Sequence, residues 1–278
     1  MEQCKNLLQV TPLLKKIIPR LAFKRNSLSD EANNINTVVL GNSHGERFIP
    51  NYFPKSFNLC SRSLDLKYSF LLYKYVTKNY PHIKKFILFY SVFSPGHEVE
   101  KSPKEREICP VMNEIFHLGV EYEEESLIKL SDEFRGKFDF YRFKCQFKNG
   151  YLPLTEDDST PEEVIRIVNS HLKLNKKNIS NIYLIKLLLY AKKYGHQINI
   201  VIPPARSDYK NRIKISTDFL FRSLYEIIYD FNIDHEINLI NFWDDNSFVD
   251  SYFDDCHHLH CLKEGSKLLT EKIFYFYN

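Results

Sequence analysis

Two groups of residues, one towards each end of the chain, have the types and spacing needed for nucleophilic catalysis. Ser43 lies in residues 41–45, Gly-Asn-Ser-His-Gly, directly after an apolar run, and Asp255 and His258 lie three positions apart in the last part of the chain. A serine hydroxyl needs a base to remove its proton, and the base needs a carboxylate to orient it. An i, i+3 spacing lets a carboxylate reach an imidazole within one loop. These residues suggest a Ser–His–Asp triad, and the alternative for Ser43 is the N-cap of a helix.

The second group also has the composition of a metal site. Seven candidate ligands fall within eight positions: Asp254, Asp255, Cys256, His257, His258, His260 and Cys261. Zinc needs donors that converge tetrahedrally, which adjacent residues rarely do. The chain has no Cys-x-x-Cys or His-Glu-x-x-His motif. We therefore predict no metal and no tightly bound cofactor, and a metal-dependent hydrolase using residues 256–261 is the alternative.

These residues must be positioned by a larger fold, and the apolar pattern predicts one. Short β-branched or aromatic runs at 37–40, 56–59, 85–90, 198–202 and 237–242 predict buried strands. Helical patterns occur at 64–78, 161–172, 178–194, 218–229 and 263–277, the third with Ile182, Ile185, Leu188 and Leu189 expected on one face. Strands alternating with helices predict an α/β fold with a mostly parallel five-stranded sheet covered on both faces. Functional groups are then expected at the carboxyl edge of the sheet, where Ser43 follows the first strand.

Residues 97–158 depart from this alternation. They contain charge clusters at 98–106 and 121–125 and an aromatic-rich run at 138–147. We predict a single domain over residues 1–278, with residues 97–158 forming an insertion or lid beside the site. A surface excursion is the alternative.

The motifs and their order resemble those of the SGNH/GDSL hydrolase superfamily. The first block of that family, usually Gly-Asp-Ser, is matched by residues 41–43, and the last, Asp-x-x-His-Leu before a Gly and the final helix, by residues 255–259. The resemblance implies a flavodoxin-like three-layer α/β/α sandwich. It also implies that Ser43 is the nucleophile, His258 the general base and Asp255 the acid that orients it.

The choice of base among three histidines needs a reason. Asp254 and His257 have the same i, i+3 spacing, and His260 lies five residues before Gly265, where the base of the family often lies. We favour His258 because Leu259 follows it, as in the family pattern.

The resemblance further implies an oxyanion hole. Residues 58–63 resemble the second family block, Asn-Leu-x-x-x-Gly, with Ser63 in place of the Gly, so the backbone N–H groups of Ser43 and Ser63 are expected donors. The third block, Gly-x-Asn, falls near residues 90–96, which contain no Asn. Ser91, and also Ser94, are candidates for the missing donor.

Residues that flank these blocks are candidates for substrate binding. Asn42 and His44 lie on either side of the nucleophile. Arg206 and Tyr209 follow the fourth strand, where a cationic and aromatic wall suits an acidic sugar, a phosphate or coenzyme A. A solvated turn is the alternative for this segment.

Composition excludes several classes of protein. The 278 residues carry 38 basic and 35 acidic side chains, which is too balanced for nucleic-acid binding. No uncharged run of about 18 apolar residues predicts a membrane span. Residues 1–20 lack the pattern of a secretory signal, and six scattered cysteines favour reduced thiols. These features predict a cytoplasmic protein.

The resemblance leads to one functional hypothesis and one alternative. Acyl transfer through an acyl-Ser43 intermediate implies a glycan O-acetyltransferase or acetylesterase of bacterial surface-polysaccharide metabolism. Its partners are a glycan or acylated sugar and, as a possible co-substrate, acetyl-CoA. The alternative is a non-catalytic SGNH-like module that binds glycan.

Overall fold

The centre of the molecule is one parallel sheet built from the short apolar runs. The computed structural model describes residues 11–138, 148–153, 156–232, 237–262 and 264–277. Its strands are β1 (Thr37–Leu40), β2 (Ser56–Asn58), β3 (Lys85–Phe89), β4 (Gln197–Ile202) and β5 (Ile237–Asn241). All neighbouring pairs are parallel, and the order across the sheet is β2-β1-β3-β4-β5. The predicted five-stranded parallel sheet is confirmed.

Helices precede, connect and follow these strands. Within the described residues they are α1 (Pro12–Glu31), α2 (Leu66–Asn79), α3 (Ile108–Phe116), α4 (Glu125–Phe134), α5 (Pro161–Asn175), α6 (Asn181–Tyr194), α7 (Ser207–Ile213), α8 (Thr217–Leu220), α9 (Arg222–Asn232) and α10 (Glu264–Tyr277). In the part of the chain that is described, no helix is both long enough and apolar enough to cross a membrane.

Alternation along the strands divides the interior into two cores. Successive strand residues point to opposite faces, so Val38 and Leu40 pack in the larger core and Val39 packs in the smaller one. The larger core includes buried residues of α1, α2 and α6, and the smaller one includes Leu269 and Ile273 of α10. Helices cover both faces, which makes the fold the expected three-layer α/β/α sandwich.

The strand order fixes where a ligand can approach. The chain runs from β1 outwards to β2 and then returns to β3 on the other side of β1. In this flavodoxin-like order a crevice opens outside the carboxyl ends of β1 and β3, because their connections leave in opposite directions. The turn after β1 contains Ser43, and the turn after β3 contains Ser91.

The helix that precedes the sheet was not predicted from the sequence. Helix α1 begins after Thr11, whose side chain accepts a hydrogen bond from the backbone N–H of Leu14. Its Lys24 is 2% exposed and donates to the carbonyl oxygens of Asn58 (2.9 Å) and Gly150 (2.8 Å). Helix α1 thereby holds the end of β2 beside residues 148–153.

Two details of the predicted helices are wrong. In α6 the buried face carries Leu184, Leu187 and Leu188, whereas Ile182 and Leu189 are 47% and 53% exposed. The predicted helix at 218–229 is divided at Phe221 into α8 and α9. The density of apolar residues along the sequence therefore shows neither which face of α6 is buried nor where the second helix is interrupted.

The segment predicted as an insertion includes two helices. Helix α3 is largely buried and packs against α1, while α4 packs on α3. Residues between His97 and Glu105 line the crevice at the carboxyl edge. Most of the aromatic-rich run, residues 139–147, lies outside the described residues, so its role as a lid stays a prediction.

Candidate active site

The three residues proposed for a triad form a continuous chain of hydrogen bonds. The Ser43 hydroxyl lies 2.8 Å from Nε2 of His258, and Nδ1 of His258 lies 2.7 Å from Oδ2 of Asp255. All three side chains are buried. Ser43 and His258 nevertheless line a cleft of about 460 Å³ at the carboxyl edge of the sheet. This arrangement allows an imidazole to accept the serine proton while a carboxylate holds its other nitrogen.

A tight turn after β1 presents Ser43 to the cleft. Gly41 has a φ of 128°, and a Cβ there would lie 2.9 Å from the Cβ and the carbonyl oxygen of Phe89 on β3. Only glycine permits this conformation and this close approach. The chain then makes a short 3₁₀ turn over Gly45–Arg47, which is preceded by His44. Ser43 is therefore not the N-cap of this turn, and its hydroxyl points to His258 instead.

A closed loop holds the acid and the base. The backbone N–H of Asp254 donates to the carbonyl oxygen of His258 at 2.9 Å, and Phe253 forms an antiparallel bridge with Leu259. Oδ1 of Asp255 accepts the backbone N–H groups of His257 (2.8 Å) and His258 (2.7 Å). The carboxylate is thus fixed on one oxygen by the backbone, which leaves the other to orient the imidazole.

The surroundings also set the charges of these groups. Burial would raise the pKa of Asp255, but the neighbouring His258 and the hydrogen bonds from both histidines outweigh it and hold that pKa far below its usual range. Burial, together with the adjacent His257, lowers the pKa of His258 to about 4. His258 is therefore neutral near pH 7, which is the form that can accept a proton.

The two neighbouring histidines occupy different positions. The ring of His257 packs at a tilt of 38° against that of His258 with centroids 4.0 Å apart, and its Nδ1 lies 3.2 Å from Oδ1 of Asp255. Burial lowers the pKa of His257, but hydrogen bonds with Asp255 and Cys256 outweigh this and raise it to about 9. Nε2 of His260 lies 3.4 Å from Asp254. Asp254 therefore contacts His260, whereas Asp255 contacts His257 and His258. It is His258 that contacts Ser43.

Ser63 has the backbone conformation expected of a glycine. Its φ is 64°, in the left-handed region, and its hydroxyl donates to Glu105. Nε2 of His97 donates to the Ser63 carbonyl oxygen at 3.0 Å. Among the described residues, the backbone N–H groups of Ser43 and Ser63 donate to no backbone carbonyl. Both residues line the cleft, so these N–H groups are available for a developing oxyanion.

The residues considered as replacements for the missing Asn have other partners. The Ser91 hydroxyl accepts from Nδ2 of Asn42 at 3.0 Å and lies 2.9 Å from Nδ1 of His44. The Ser94 hydroxyl accepts the backbone N–H of Ser91 at 2.8 Å. Asn42 and Ser91 are 3% and 2% exposed and do not line the cleft. These contacts join the turn after β1 to the turn after β3, so the predicted roles of Ser91 and Asn42 towards a substrate stay predictions.

The cationic and aromatic wall also differs from its prediction. Arg206 forms ion pairs with Asp208 (2.9 Å) and Asp158 (2.6 Å). Tyr209 is 2% exposed and packs its ring parallel to that of His257, with centroids 5.6 Å apart. Neither Arg206 nor Tyr209 lines the cleft. Tyr209 instead packs against the ring of His257, and its hydroxyl lies 2.7 Å from Nδ1 of His171.

Several residues around the cleft were not identified from the sequence. His171 on α5 lines it, with its Nδ1 2.7 Å from the Tyr209 hydroxyl and its ring 5.1 Å from that of His257. The remaining charged or imidazole side chains of the lining are Arg62, His97, Glu98, Lys101, Glu105 and Lys177. These residues belong to no motif, and the ten histidines of the chain are the sole sequence signal that points to such a cluster.

Two groups of side chains among the described residues have a geometry that could hold a metal ion. They are His44 with His257 and His258, and Asp255 with Cys256 and His257.

No protein-family model matches the chain, and no curated protein matches it. The chemistry of the site therefore rests on its geometry.

Proposed function

We propose that this protein is a serine-dependent acyl-transfer enzyme of the SGNH/GDSL type. The observation that carries the proposal is the hydrogen-bonded path from Ser43 through His258 to Asp255, which opens into a cleft at the switch point of the sheet. The site supplies a nucleophile, a neutral base and an ionised carboxylate in the required order.

The reaction begins when Nε2 of His258 removes the proton of the Ser43 hydroxyl. The serine oxygen attacks the carbonyl carbon of the acyl donor, and negative charge develops on the carbonyl oxygen. Backbone N–H groups of Ser43 and Ser63 stabilise that charge, an effect worth about 2.7–4 kcal/mol for one donor. Asp255 holds Nδ1–H of His258 and stabilises the imidazolium.

The second half of the reaction returns the enzyme to its starting state. His258 gives its proton to the leaving alcohol or thiol and leaves an ester on Ser43. It then removes a proton from the acceptor, which attacks the acyl carbon. As the bond from the acyl carbon to the Ser43 oxygen breaks, His258 returns that proton to the serine. Water as the acceptor makes the enzyme an esterase, and a sugar hydroxyl makes it an O-acyltransferase.

The lining of the cleft favours a carbohydrate substrate with a small acyl group. Most of the residues that line this cleft carry charged, imidazole or hydroxyl side chains. Such a lining suits the hydroxyl groups of a sugar better than a long acyl chain. Lys101 forms an ion pair with Glu98 at 2.8 Å, and Lys177 adds a positive charge to the lining that suits an anionic acyl donor such as acetyl-CoA. We therefore infer a glycan O-acetyltransferase or acetylesterase, in line with the resemblance to enzymes of bacterial surface-polysaccharide metabolism.

The test uses a chromogenic acetyl ester, and acetyl-CoA with a panel of glycans. The purified protein is expected to release the acetyl group and to show an acetyl adduct on Ser43 by mass spectrometry. Ser43→Ala is expected to fold normally and to lose both signals. Ser170→Ala is the matched control, because Ser170 also lines the cleft but lies on α5. Acetate as the product identifies an esterase, and acetylated glycan identifies a transferase. Full activity in Ser43→Ala would contradict the proposal.

A further inference from the structure

The cleft is bordered by more histidines than the proposed reaction uses. His97, His171, His257 and His258 line it, and His44 contacts the rings of the last two. The triad needs His258 alone. Three of these imidazoles form a compact triangle, with ring centroids 4.0 Å apart for His257 and His258, 4.7 Å for His44 and His258, and 5.2 Å for His44 and His257.

The three rings are oriented as metal-binding histidines are. Nδ1 of His44 lies 2.9 Å from the Ser91 hydroxyl, and Nδ1 of His257 and His258 lie 3.2 Å and 2.7 Å from the two oxygens of Asp255. A histidine that binds a metal usually engages its other ring nitrogen with an oxygen in this way, which fixes the ring and raises its basicity. Nε2 is then the nitrogen left for a ligand in each ring.

The spacing of the donors also suits a small ion. One ligand atom from each of the three histidines lies within 4.8 Å of the other two. Zinc binds imidazole nitrogen at about 2.0–2.1 Å, which places the nitrogens of a tetrahedral site about 3.3 Å apart. Movement of the side chains must close the remaining difference. Burial lowers the pKa of His44 and of His258, whereas contacts with Asp255 and Cys256 raise that of His257 to about 9, so His257 must give up a proton when the ion binds.

We propose that His44, His257 and His258 form a binding site for a divalent transition-metal ion of the zinc type, which switches the triad off. The Ser43 hydroxyl, 2.8 Å from Nε2 of His258, or a water molecule completes the coordination. The lone pair on that nitrogen cannot bind the ion and accept the serine proton together. Ion binding stands on the histidine triangle alone, whereas inhibition rests on the proposed function.

Binding is tested on metal-free full-length protein by equilibrium dialysis against ZnCl₂. We expect one tightly bound zinc per chain, with affinity reduced at least about tenfold in His44→Ala and in His257→Ala. His117→Ala is the control, because His117 is exposed and does not line the cleft, and the affinity of this variant should equal that of the unmodified protein. Ser43→Ala should still bind zinc, which separates this proposal from the proposed function.

Two further measurements do not depend on whether the histidine variants fold. Co²⁺ added to the unmodified protein should give the visible absorption of a four-coordinate site with nitrogen ligands. Zinc should inhibit acetyl ester hydrolysis, and a chelator should restore it. No bound zinc in the unmodified protein, or equal affinity in His44→Ala, would overturn the site. Activation by zinc would overturn its inhibitory role.

Discussion

Asp255 shows how two backbone contacts determine the chemistry of one side chain. Its Oδ1 accepts the backbone N–H groups of His257 and His258, so Oδ2 is the oxygen that faces Nδ1 of His258. Both oxygens of an ionised carboxylate can only accept hydrogen bonds, so Nδ1 must be the protonated nitrogen of His258. Nε2 is then unprotonated and faces the Ser43 hydroxyl, as general-base catalysis requires.

The variant Asp255→Asn is expected to lose about 10⁴-fold in kcat, the size of the effect of the same change in a serine protease triad. The amide oxygen will keep the two backbone N–H donors, so the NH₂ group will face His258 and force a proton onto Nε2. Steady-state kinetics on an acetyl ester measures the loss. Near-normal kcat in a folded Asp255→Asn protein would show that this carboxylate does not orient the base.

The three adjacent histidines predict sharply unequal effects on substitution. His258→Ala should lower kcat by about 10⁴-fold or more, because it removes the group within 2.8 Å of the Ser43 hydroxyl. His257→Ala and His260→Ala should reduce kcat modestly, through loop packing, since their carboxylate contacts are to Oδ1 of Asp255 and to Asp254. Rates are measured with a chelator present. If His257→Ala proved as inactive as His258→Ala, the assignment of the base would be wrong.

The turns at the carboxyl edge carry the conformational demands of the site. Gly41 after β1 and Ser63 after β2 both have positive φ, at 128° and 64°. Each lies within a few residues of a group that the proposed mechanism uses. The strands fix where these turns begin, and the unusual backbone conformation places Ser43 and Ser63 in the lining of the cleft.

Gly41→Ala should unfold the turn that presents Ser43. The added Cβ would lie 2.9 Å from backbone and Cβ atoms of Phe89, at a φ of 128°. We expect the free energy of unfolding to fall by at least about 2 kcal/mol, together with loss of activity. Gly119→Ala is the matched control, because its φ is 69° but a Cβ there meets nothing within 4 Å. Strain alone should cost it about 1 kcal/mol. Equal losses in denaturant titrations would contradict this account.

Two substitutions at Ser63 separate its backbone from its hydroxyl. Ser63→Gly and Ser63→Ala both lose the hydrogen bond to Glu105, but only glycine adopts a φ of 64° without strain. Ser63→Gly should therefore be more stable than Ser63→Ala by about 0.5–1 kcal/mol. Both should retain kcat within a few-fold, because both keep the N–H group. Loss of activity in both would assign the oxyanion contact to the hydroxyl instead.

The whole molecule contains a cluster of buried histidines that links its stability to pH. Burial lowers the pKa of His44 and His171 well below 6.5, with neighbouring histidines adding to the effect, and lowers that of His258 to about 4. Below about pH 6.5 the unfolded chain takes up protons on these groups that the folded protein excludes. Their contribution to stability is therefore lost as the pH falls through this range.

The pH dependence can be assigned to one residue of the cluster. Burial raises the pKa of Asp65, so this carboxyl opposes the trend and the slope of the unmodified protein is a sum. His171→Gln removes the contribution of one titrating group from that slope. Between about pH 6.5 and 4 its free energy of unfolding should fall less steeply, by up to about 1.4 kcal/mol per pH unit. Denaturant titrations with a chelator present measure both slopes, and identical slopes would show that His171 is not buried in its neutral form.

The sequence was most informative where structure is local. The strands were identified to within about one residue because β-branched and aromatic runs bounded by polar turns favour buried strands without further context. Helix α1 was not predicted, and its Lys24, a residue type that is usually exposed, is buried against carbonyl oxygens of distant residues. Ile182 and Leu189 were expected on one face with Leu188 but are exposed, because apolar type alone does not show which face of the helix is buried.

The sequence by itself determined the α/β fold, the parallel sheet, and the loop in which Asp255 lies three residues before His258. Each of these depends on periodicity or on short spacing. Only the tertiary structure decided which histidine contacts Ser43. It also decided that Ser91 and Asn42 form a hydrogen bond with each other, and that His44 and His171 pack against the histidines of the site. Those contacts join residues far apart along the chain. They follow from the order of the strands and the packing of their turns, which local preferences do not encode.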